Sequence, residues 1–142
     1  MKRVLFVDDD EDILFCYRML VESGDVIVHT AHEIGVALDV VRENKVDVAV
    51  LDYMMPEVTG DELARLINRI DPGVKIFFVS GYDVAVEAIK RLNVAVYGVY
   101  MKPIDPSMLR KIVDAEEYVS AGYRAMSVNF GNQYTNVFCG LG

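Results

Sequence analysis

The chain has few cysteines and no long apolar runs. Its only cysteines, Cys16 and Cys139, lie far apart in 142 residues. This spacing fits neither a disulfide framework nor a zinc site, so we expect reduced thiols. The first apolar run, Val4–Val7, ends at once in Asp8. Because no run is long enough for a signal peptide or a membrane helix, we expect a cytoplasmic protein without membrane contact.

Positive charge is also scarce. Fourteen Lys and Arg residues stand against 22 Asp and Glu residues, which gives a formal net charge of −8. Nucleic-acid surfaces need clustered cations to contact phosphates, so we expect no direct binding of nucleic acid. The length fits one domain with a single core, and an apolar share of 53 % is ordinary for a globular protein.

Short β-prone apolar runs alternate with amphipathic stretches. The runs predict five strands, at Val4–Val7, Val26–Val28, Val46–Leu51, Val74–Val79 and Val94–Met101. Several are apolar at successive positions, which is typical of strands covered on both faces. The stretches between them have apolar residues at helical spacing. This alternation predicts a (βα)₅ α/β fold, a parallel sheet between two layers of helices.

Candidate helix boundaries accompany this pattern. Thr30 and Thr59 each begin a capping-box sequence, and Asp10 is a candidate N-cap of the first helix. Asp105 precedes Pro106, which predicts an N-cap followed by proline at the first helical position. We expect one helix over about 83–92 and the last one from 106 to about 118.

The end of the chain differs in composition from the rest. Residues 119–142 have few charges and many Gly, Asn and aromatic residues. Alternation over 126–130 and the candidate turn Gly131-Asn132 would give a hairpin, but a tail or a linker fits as well. We therefore predict one domain over 1–118 and a C-terminal extension over 119–142 whose form stays open.

Polar residues follow the predicted strands at their carboxyl ends. They are Asp8, Asp9 and Asp10 after the first strand, Asp52 after the third, Ser80 after the fourth and Lys102 after the fifth. Ligands of parallel α/β sheets bind at this edge, so we expect these side chains to converge. Clustered carboxylates repel each other, and an oxygen-preferring ion such as Mg²⁺ would remove the conflict. No His or Cys is placed to favour zinc.

Such a cluster suits phosphoryl transfer. Asp52 could act as a nucleophile and form an aspartyl phosphate. Mg²⁺ and Lys102 would neutralise the transferring group, and Ser80 would hydrogen-bond one of its oxygens. Each residue taken alone has an ordinary explanation, as Asp10 does as a helix cap. Their joint placement at four strand ends favours the functional interpretation.

Four segments carry a family resemblance. They are Val4-Leu5-Phe6-Val7-Asp8-Asp9-Asp10, Leu51-Asp52-Tyr53-Met54-Met55-Pro56 with Gly60, Val79-Ser80-Gly81-Tyr82, and Met101-Lys102-Pro103. In this order they resemble the signatures of the response-regulator receiver family, over residues 1 to about 118. The resemblance implies a flavodoxin-like three-layer fold with strand order 2-1-3-4-5.

The resemblance also implies a metal site and a phosphoacceptor. Asp52 would be phosphorylated, from a phosphohistidine on a sensor histidine kinase or phosphotransfer protein, or from a small acyl phosphate. Asp9 and Asp52 would ligate Mg²⁺ directly, together with the backbone carbonyl of Met54. Asp8 would act through water. The domain would not be an enzyme beyond its own phosphorylation and dephosphorylation.

The remaining implied roles concern the response to phosphorylation. Lys102 would pair with the phosphoryl group, and Ser80 would reorient toward it. Met54 and Tyr82 occupy positions that tune the dephosphorylation rate in the family. The surface of the 83–92 helix and strand five would then signal to a downstream protein, and the aromatic residues of the extension could support a homodimer.

One position departs from the family pattern. The family often carries an aromatic residue three positions before the lysine, where this chain has Val99. Aromatic coupling to the outer face is therefore in doubt. We interpret the neighbouring Tyr97 and Tyr100 as core or surface residues of a β-prone segment.

Three other functions would fit parts of this pattern. A haloacid-dehalogenase-type phosphatase would use Asp8 as nucleophile and Asp10 as general acid, but it needs a later acidic pair and leaves Asp52 unexplained. A flavodoxin-like electron carrier would need a hydroxyl- and glycine-rich phosphate loop after the first strand, which is not there. A receiver that only binds partners is disfavoured because every phosphorylation residue is present.

Overall fold

A computed structural model describes residues 1–80 and 94–114 with their side chains, and the backbone of 119–120, 123–130 and 133–140. The strands and helices of the first two ranges are β1 (Lys2–Val7), α1 (Glu11–Val21), β2 (Val26–Ala31), α2 (Ile34–Glu43), β3 (Val48–Asp52), α3 (Gly60–Ile70), β4 (Lys75–Ser80), β5 (Val96–Met101) and α4 (Pro106–Val113). They are followed by β6 (Val119–Ser120), β7 (Tyr123–Phe130) and β8 (Gln133–Gly140). The helix predicted over about 83–92 lies outside the described residues. None of the helices that the structure describes is long and apolar enough to cross a membrane.

The first five strands form a parallel sheet in the order β2-β1-β3-β4-β5. This confirms the predicted α/β fold and the flavodoxin-like strand order. Neighbouring strands are nearly in register, as shown by the pairs Val7↔Leu51 and Asp52↔Val79. Their carboxyl ends therefore finish at one edge of the sheet, which is where this fold class binds ligands.

Helices cover both faces of the sheet, and successive strand residues alternate between two cores. In β1, Leu5 packs on the side of α2 and α3, whereas Phe6 packs on the side of α1 and α4. Both side chains are fully buried. The need to bury both faces explains why the strands appear in the sequence as unbroken apolar runs.

One predicted helix boundary is wrong. The capping-box pattern predicts a helix cap at Thr30, but Thr30 belongs to β2, which runs on to Ala31. The helix α2 begins at Ile34 with Glu33 as its N-cap residue. Thr30 pairs with Phe6 of β1, so hydrogen bonding within the sheet outweighs the local capping preference.

Three other predicted boundaries agree with the structure. Asp10 accepts hydrogen bonds from the amides of Asp12 (2.9 Å) and Ile13 (3.4 Å), and Asp105 caps α4. Thr59 is the N-cap residue of α3, although within the described region its side chain makes no capping hydrogen bond. The last helix, expected to reach about 118, ends at Val113, and residues 115–118 lie outside the described part.

The C-terminal strands extend the sheet beyond β5. The strand β7 pairs in parallel with β5, from Gly98↔Ser127 to Tyr100↔Asn129. It also pairs antiparallel with β8, beginning at Phe130↔Gln133. This pairing corresponds to the hairpin among the three alternatives for the extension. The division into a domain over 1–118 and an extension over 119–142 remains a prediction.

Candidate functional site

The carboxyl edge of the sheet brings the predicted polar residues together. Asp8 follows β1 directly, Asp52 ends β3, Ser80 ends β4 and Lys102 follows β5. Asp8, Asp52 and Ser80 are among the most buried polar residues described, with exposed fractions of 2 %, 6 % and 1 %. Such burial of carboxylates is costly unless partners compensate them, so the edge is a candidate functional site.

Three carboxylates converge at this edge. Asp8, Asp9 and Asp52 each offer an oxygen atom within 4.8 Å of the others. Asp9 is exposed, so the cluster is open to solvent on one side. An all-oxygen, multiply negative donor set suits a hard divalent cation such as Mg²⁺. The chemistry of these donors therefore fits the expected ion.

Lys102 supplies a positive charge next to the carboxylates. Its Nζ donates a hydrogen bond of 2.7 Å to Oδ2 of Asp8 and lies 3.4 Å from Oδ2 of Asp52. Burial acts to lower the pKa of Lys102, but its hydrogen bond to Asp8 and the charge of Asp52 outweigh burial and raise the pKa. Lys102 is therefore a cation throughout the physiological pH range.

Asp52 is in surroundings that disfavour its charge. Burial and the negative charge of Asp8 raise its pKa from 3.8 to about 6, although Lys102 and the Met54 amide act in the opposite direction. That amide is 3.4 Å from Oδ1 of Asp52. A carboxylate with such a raised pKa is stabilised when a cation binds beside it or when a reaction removes its negative charge.

Asp8 and Asp10 have different local roles. The amide of Asp10 donates a 2.9 Å hydrogen bond to Oδ1 of Asp8, which fixes that carboxylate together with Lys102. The Asp10 side chain turns the other way and caps α1. Of the three consecutive acids, only Asp8 and Asp9 face the cluster with Asp52.

A close approach of α3 shapes the segment after Asp52. The Gly60 amide donates a 2.7 Å hydrogen bond to the carbonyl of Tyr53. A Cβ atom at Gly60 would lie 2.8 Å from both Cε1 of Phe78 and Cα of Tyr53, so a side chain is excluded there. The Met54 side chain, in contrast to the buried Tyr53, is half exposed.

The predicted modulatory positions divide into described and undescribed residues. Tyr82 lies outside the described residues. Val99 is 4 % exposed and packs on the side of α2 and α3. Tyr100 lies in the opposite core, with its ring 6.3 Å from that of Phe77, as expected for a core residue.

Tyr17 lies at a buried position of α1, and none of the sequence motifs singles it out. The structure places it near the site, because Asp8 and Asp52 both contribute, after burial, to the strongly raised pKa of its hydroxyl. Tyr17 also lines a groove with Lys102 and Pro103. The only sequence signal is a hydroxyl-bearing aromatic residue at an inward position of α1. This signal alone does not indicate that the hydroxyl lies near the site.

Known proteins share this sequence pattern and fold. Residues 4–114 match the family described as response regulator receiver domain. The response regulator receiver protein CpdR of Brucella abortus (strain 2308) is 35 % identical over 83 residues, which covers 58 % of this chain and 68 % of that protein. The chemotaxis protein CheY of Thermotoga maritima is 29 % identical over 126 residues, covering 84 % of this chain and 98 % of CheY.

Solved structures of receiver domains share the fold of this chain. A CheY-like response regulator receiver domain protein from Methanospirillum hungatei JF-1 superposes with a TM-score of 0.73 at 29 % identity, covering 80 % of this chain and 91 % of that one. Several other curated relatives are longer, and the chain spans between 25 % and 49 % of their length. Together with the match over 4–114, these similarities show that the chain belongs to the response regulator receiver domain family of two-component signalling systems.

Proposed function

We propose that the domain accepts a phosphoryl group on Asp52 with the help of Mg²⁺. The donor is a phosphohistidine on a sensor histidine kinase or phosphotransfer protein, or a small acyl phosphate, and the phosphorylated domain signals to a downstream protein. One observation carries the proposal: the carboxylates of Asp8, Asp9 and Asp52 lie within 4.8 Å of each other, beside the ammonium group of Lys102.

The three carboxylates would hold the ion, with the backbone carbonyl of Met54 as a further ligand and water between the ion and Asp8. When bound, Mg²⁺ relieves the carboxylate repulsion and neutralises negative charge on the transferring phosphoryl group.

The protein's own contribution to transfer is position and charge. A carboxylate oxygen of Asp52 forms a bond to phosphorus, while the bond from phosphorus to the donor breaks and its electron pair leaves with the donor. Asp52 ends the central strand β3 and is 6 % exposed, so little reorganisation is needed. Lys102, now bonded to Asp8, is near enough to contact a phosphoryl group on Asp52.

Phosphorylation would alter the ends of β4 and β5 together. Ser80 and Lys102 would be drawn toward the new oxygens, and the amide of Lys102 already donates a 2.9 Å hydrogen bond to the carbonyl of Ser80. The surface of β5 and of the predicted 83–92 helix would then change its affinity for a partner. Couplings of this kind are typically about 1–3 kcal/mol, or roughly 5- to 150-fold in affinity.

The phosphatase alternative requires Asp8 as nucleophile and Asp10 as general acid. Asp10 instead caps α1 with its carboxylate, which accepts hydrogen bonds from the amides of Asp12 and Ile13. This contact argues against Asp10 as the general acid.

The proposal is tested by intact mass spectrometry after incubation with acetyl phosphate and Mg²⁺. We expect one phosphoryl adduct on the wild type, none on Asp52→Asn, and none when EDTA removes the metal. Asp12→Asn is a matched control, because Asp12 is an acid of the first turn of α1 outside the cluster. An adduct that survives Asp52→Asn would contradict the assignment of the phosphoacceptor.

A further inference from the structure

The C-terminal extension covers the outer edge of β5. Its strand β7 pairs in parallel with three consecutive residues of β5, Gly98, Val99 and Tyr100. Along its length β7 also pairs with β8, and we call these two strands the C-terminal hairpin. Without the hairpin, β5 would be the last strand of the parallel sheet. The extension thus converts an edge strand into an internal one.

The composition of β5 favours such a cover. Its segment Val96–Met101 contains no charged residue and no proline. Charges and proline are the usual means by which an edge strand avoids pairing with other strands. The two strands of the hairpin carry a single charged residue, Arg124, and are otherwise free of charge. The exposed edge of β5 would therefore attract a strand, and the chain supplies one of its own.

The covered part of β5 adjoins the proposed phosphorylation site. Tyr100 is two positions before Lys102. The Nζ atom of Lys102 lies 2.7 Å from Oδ2 of Asp8 and 3.4 Å from Oδ2 of Asp52. The amide of Lys102 donates a 2.9 Å hydrogen bond to the carbonyl of Ser80. A displacement of Lys102 toward a phosphoryl group would therefore act on β5 directly beyond the residues that pair with β7.

Two features of β5 favour a response of the strand itself. Its pairing with β4 has a register shift between Ile76 and Phe77, so regular pairing does not fix β5 along its whole length. Val99, which is 4 % exposed, occupies the position where the family often carries an aromatic residue. Because Val99 has no ring that could swing inward, the backbone of β5 is the remaining route from Lys102 to the outer edge.

We propose that the C-terminal hairpin is an autoinhibitory element, which pairs with β5 in the unphosphorylated domain and is released when Asp52 is phosphorylated. This inference rests on the proposed function, because the phosphoryl group supplies the displacement of Lys102. Before phosphorylation the hairpin covers the edge of β5, a part of the surface through which the domain signals. Release exposes this edge. Phosphorylation and hairpin pairing are thus two coupled equilibria that oppose each other.

The first test measures amide hydrogen exchange of the wild type by mass spectrometry, with and without acetyl phosphate and Mg²⁺. The intact mass of the same sample reports the phosphoryl adduct. We expect peptides spanning 98–100 and 127–129 to exchange roughly 5- to 150-fold faster in phosphorylated molecules, the usual range of such couplings. Peptides of β2, at the opposite edge of the sheet, are the control and should not change.

The two readings separate this inference from the proposed function. An adduct without faster exchange in β5 and β7 would overturn the release of the hairpin and leave the proposed function intact. A missing adduct would overturn the proposed function and this inference with it.

The second test measures the same release by cross-linking. Val99 and Val128 are paired, and neighbouring strands lie about 4.8 Å apart, within the range of Cα distances that a disulfide spans. In a Cys16→Ser, Cys139→Ser background, diamide should oxidise Val99→Cys with Val128→Cys within one chain. Phosphorylation should slow this reaction roughly 5- to 150-fold. Val99→Cys with Asn129→Cys is the matched control and should react slowly, because adjacent positions of a strand face opposite sides.

Circular dichroism checks that both cysteine pairs leave the protein folded. Equal rates for the two pairs would show that β7 does not hold this register on β5. A product that joins two chains would show that the strand on β5 comes from another copy. Either result would overturn the proposal, as would a rate that phosphorylation does not change.

Discussion

The carboxylate of Asp52 lies in surroundings that disfavour its charged form. It is buried next to Asp8, and its pKa is raised to about 6. Only Lys102 and one backbone amide offset this environment among the residues described. Sites that must bind a cation and react are often held in such destabilising surroundings.

The metal-free protein should become more stable when this charge is removed. Because the pKa of Asp52 is about 6 in the folded state and about 3.9 when unfolded, the folded state binds more protons between these values. Stability contributed by Asp52 is therefore present below about pH 4 and lost as the pH rises through about 6. We expect Asp52→Asn to stabilise the protein by on the order of 2 kcal/mol at pH 7.5, and much less near pH 4. Urea unfolding in EDTA at both pH values measures this, and an equal effect at both would contradict the electrostatic explanation.

Replacing Lys102 should destabilise the protein, in contrast to replacing Asp52. The variant Lys102→Met leaves the buried carboxylate of Asp8 without its 2.7 Å partner. We expect a loss of about 2 kcal/mol in the free energy of unfolding. Lys45→Met removes an exposed ion pair with Asp71 and should change stability by less than about 1 kcal/mol. Similar losses for the two variants in urea unfolding would mean that the Lys102 pair is not effectively buried.

At the scale of elements, the junction of β3 and α3 depends on Gly60. A methyl group there meets the Tyr53 backbone at 2.8 Å, and the backbone cannot move aside easily. We expect Gly60→Ala to destabilise the protein by about 1–3 kcal/mol, as overpacking does. Gly35 in α2 is a matched control, since no described atom lies within 4 Å of an added Cβ. Gly35→Ala should stabilise by about 0.5–1 kcal/mol through helix propensity. Thermal denaturation distinguishes the two signs.

The helix starts give a second comparison at this scale. Asp10 accepts hydrogen bonds from two amides of α1, whereas Thr59 makes no side-chain cap to α3 within the described region. Asp10→Ala should therefore cost about 1 kcal/mol, and Thr59→Ala close to nothing. Equal costs in chemical denaturation would show that these capping contacts do not determine helix stability here.

The limits of sequence reasoning are also visible in these elements. Asp10 and Asp105 were identifiable as caps because a local hydrogen bond satisfies them. Thr30 matched the same kind of pattern, but its partner Phe6 is 24 positions away in sequence, and a local motif carries no information about that pairing. In β5, a register shift against Ile76 and Phe77 interrupts the regular pairing of the strand. Such an irregularity follows from packing of the sheet and has no distinct sequence signal.

At the scale of the whole molecule, the fold and the convergence of the polar side chains were predictable for a common reason. Strands covered on both faces and the helices between them are encoded in apolar periodicity, and parallel strands must end at one edge. The convergence of Asp8, Asp52 and Lys102 follows from that topology alone. Distances, the raised pKa of Asp52 and the groove beside α1 depend on side-chain packing between distant segments. These features can be identified only from the structure.

The most direct test of the account is to locate the phosphoryl group chemically. After reaction with acetyl phosphate and Mg²⁺, borohydride reduction converts an aspartyl phosphate to homoserine, and peptide sequencing by mass spectrometry then identifies the modified residue. The account predicts homoserine at position 52 alone, and only when the divalent ion was present. Homoserine at position 8, or at position 52 regardless of metal, would contradict it.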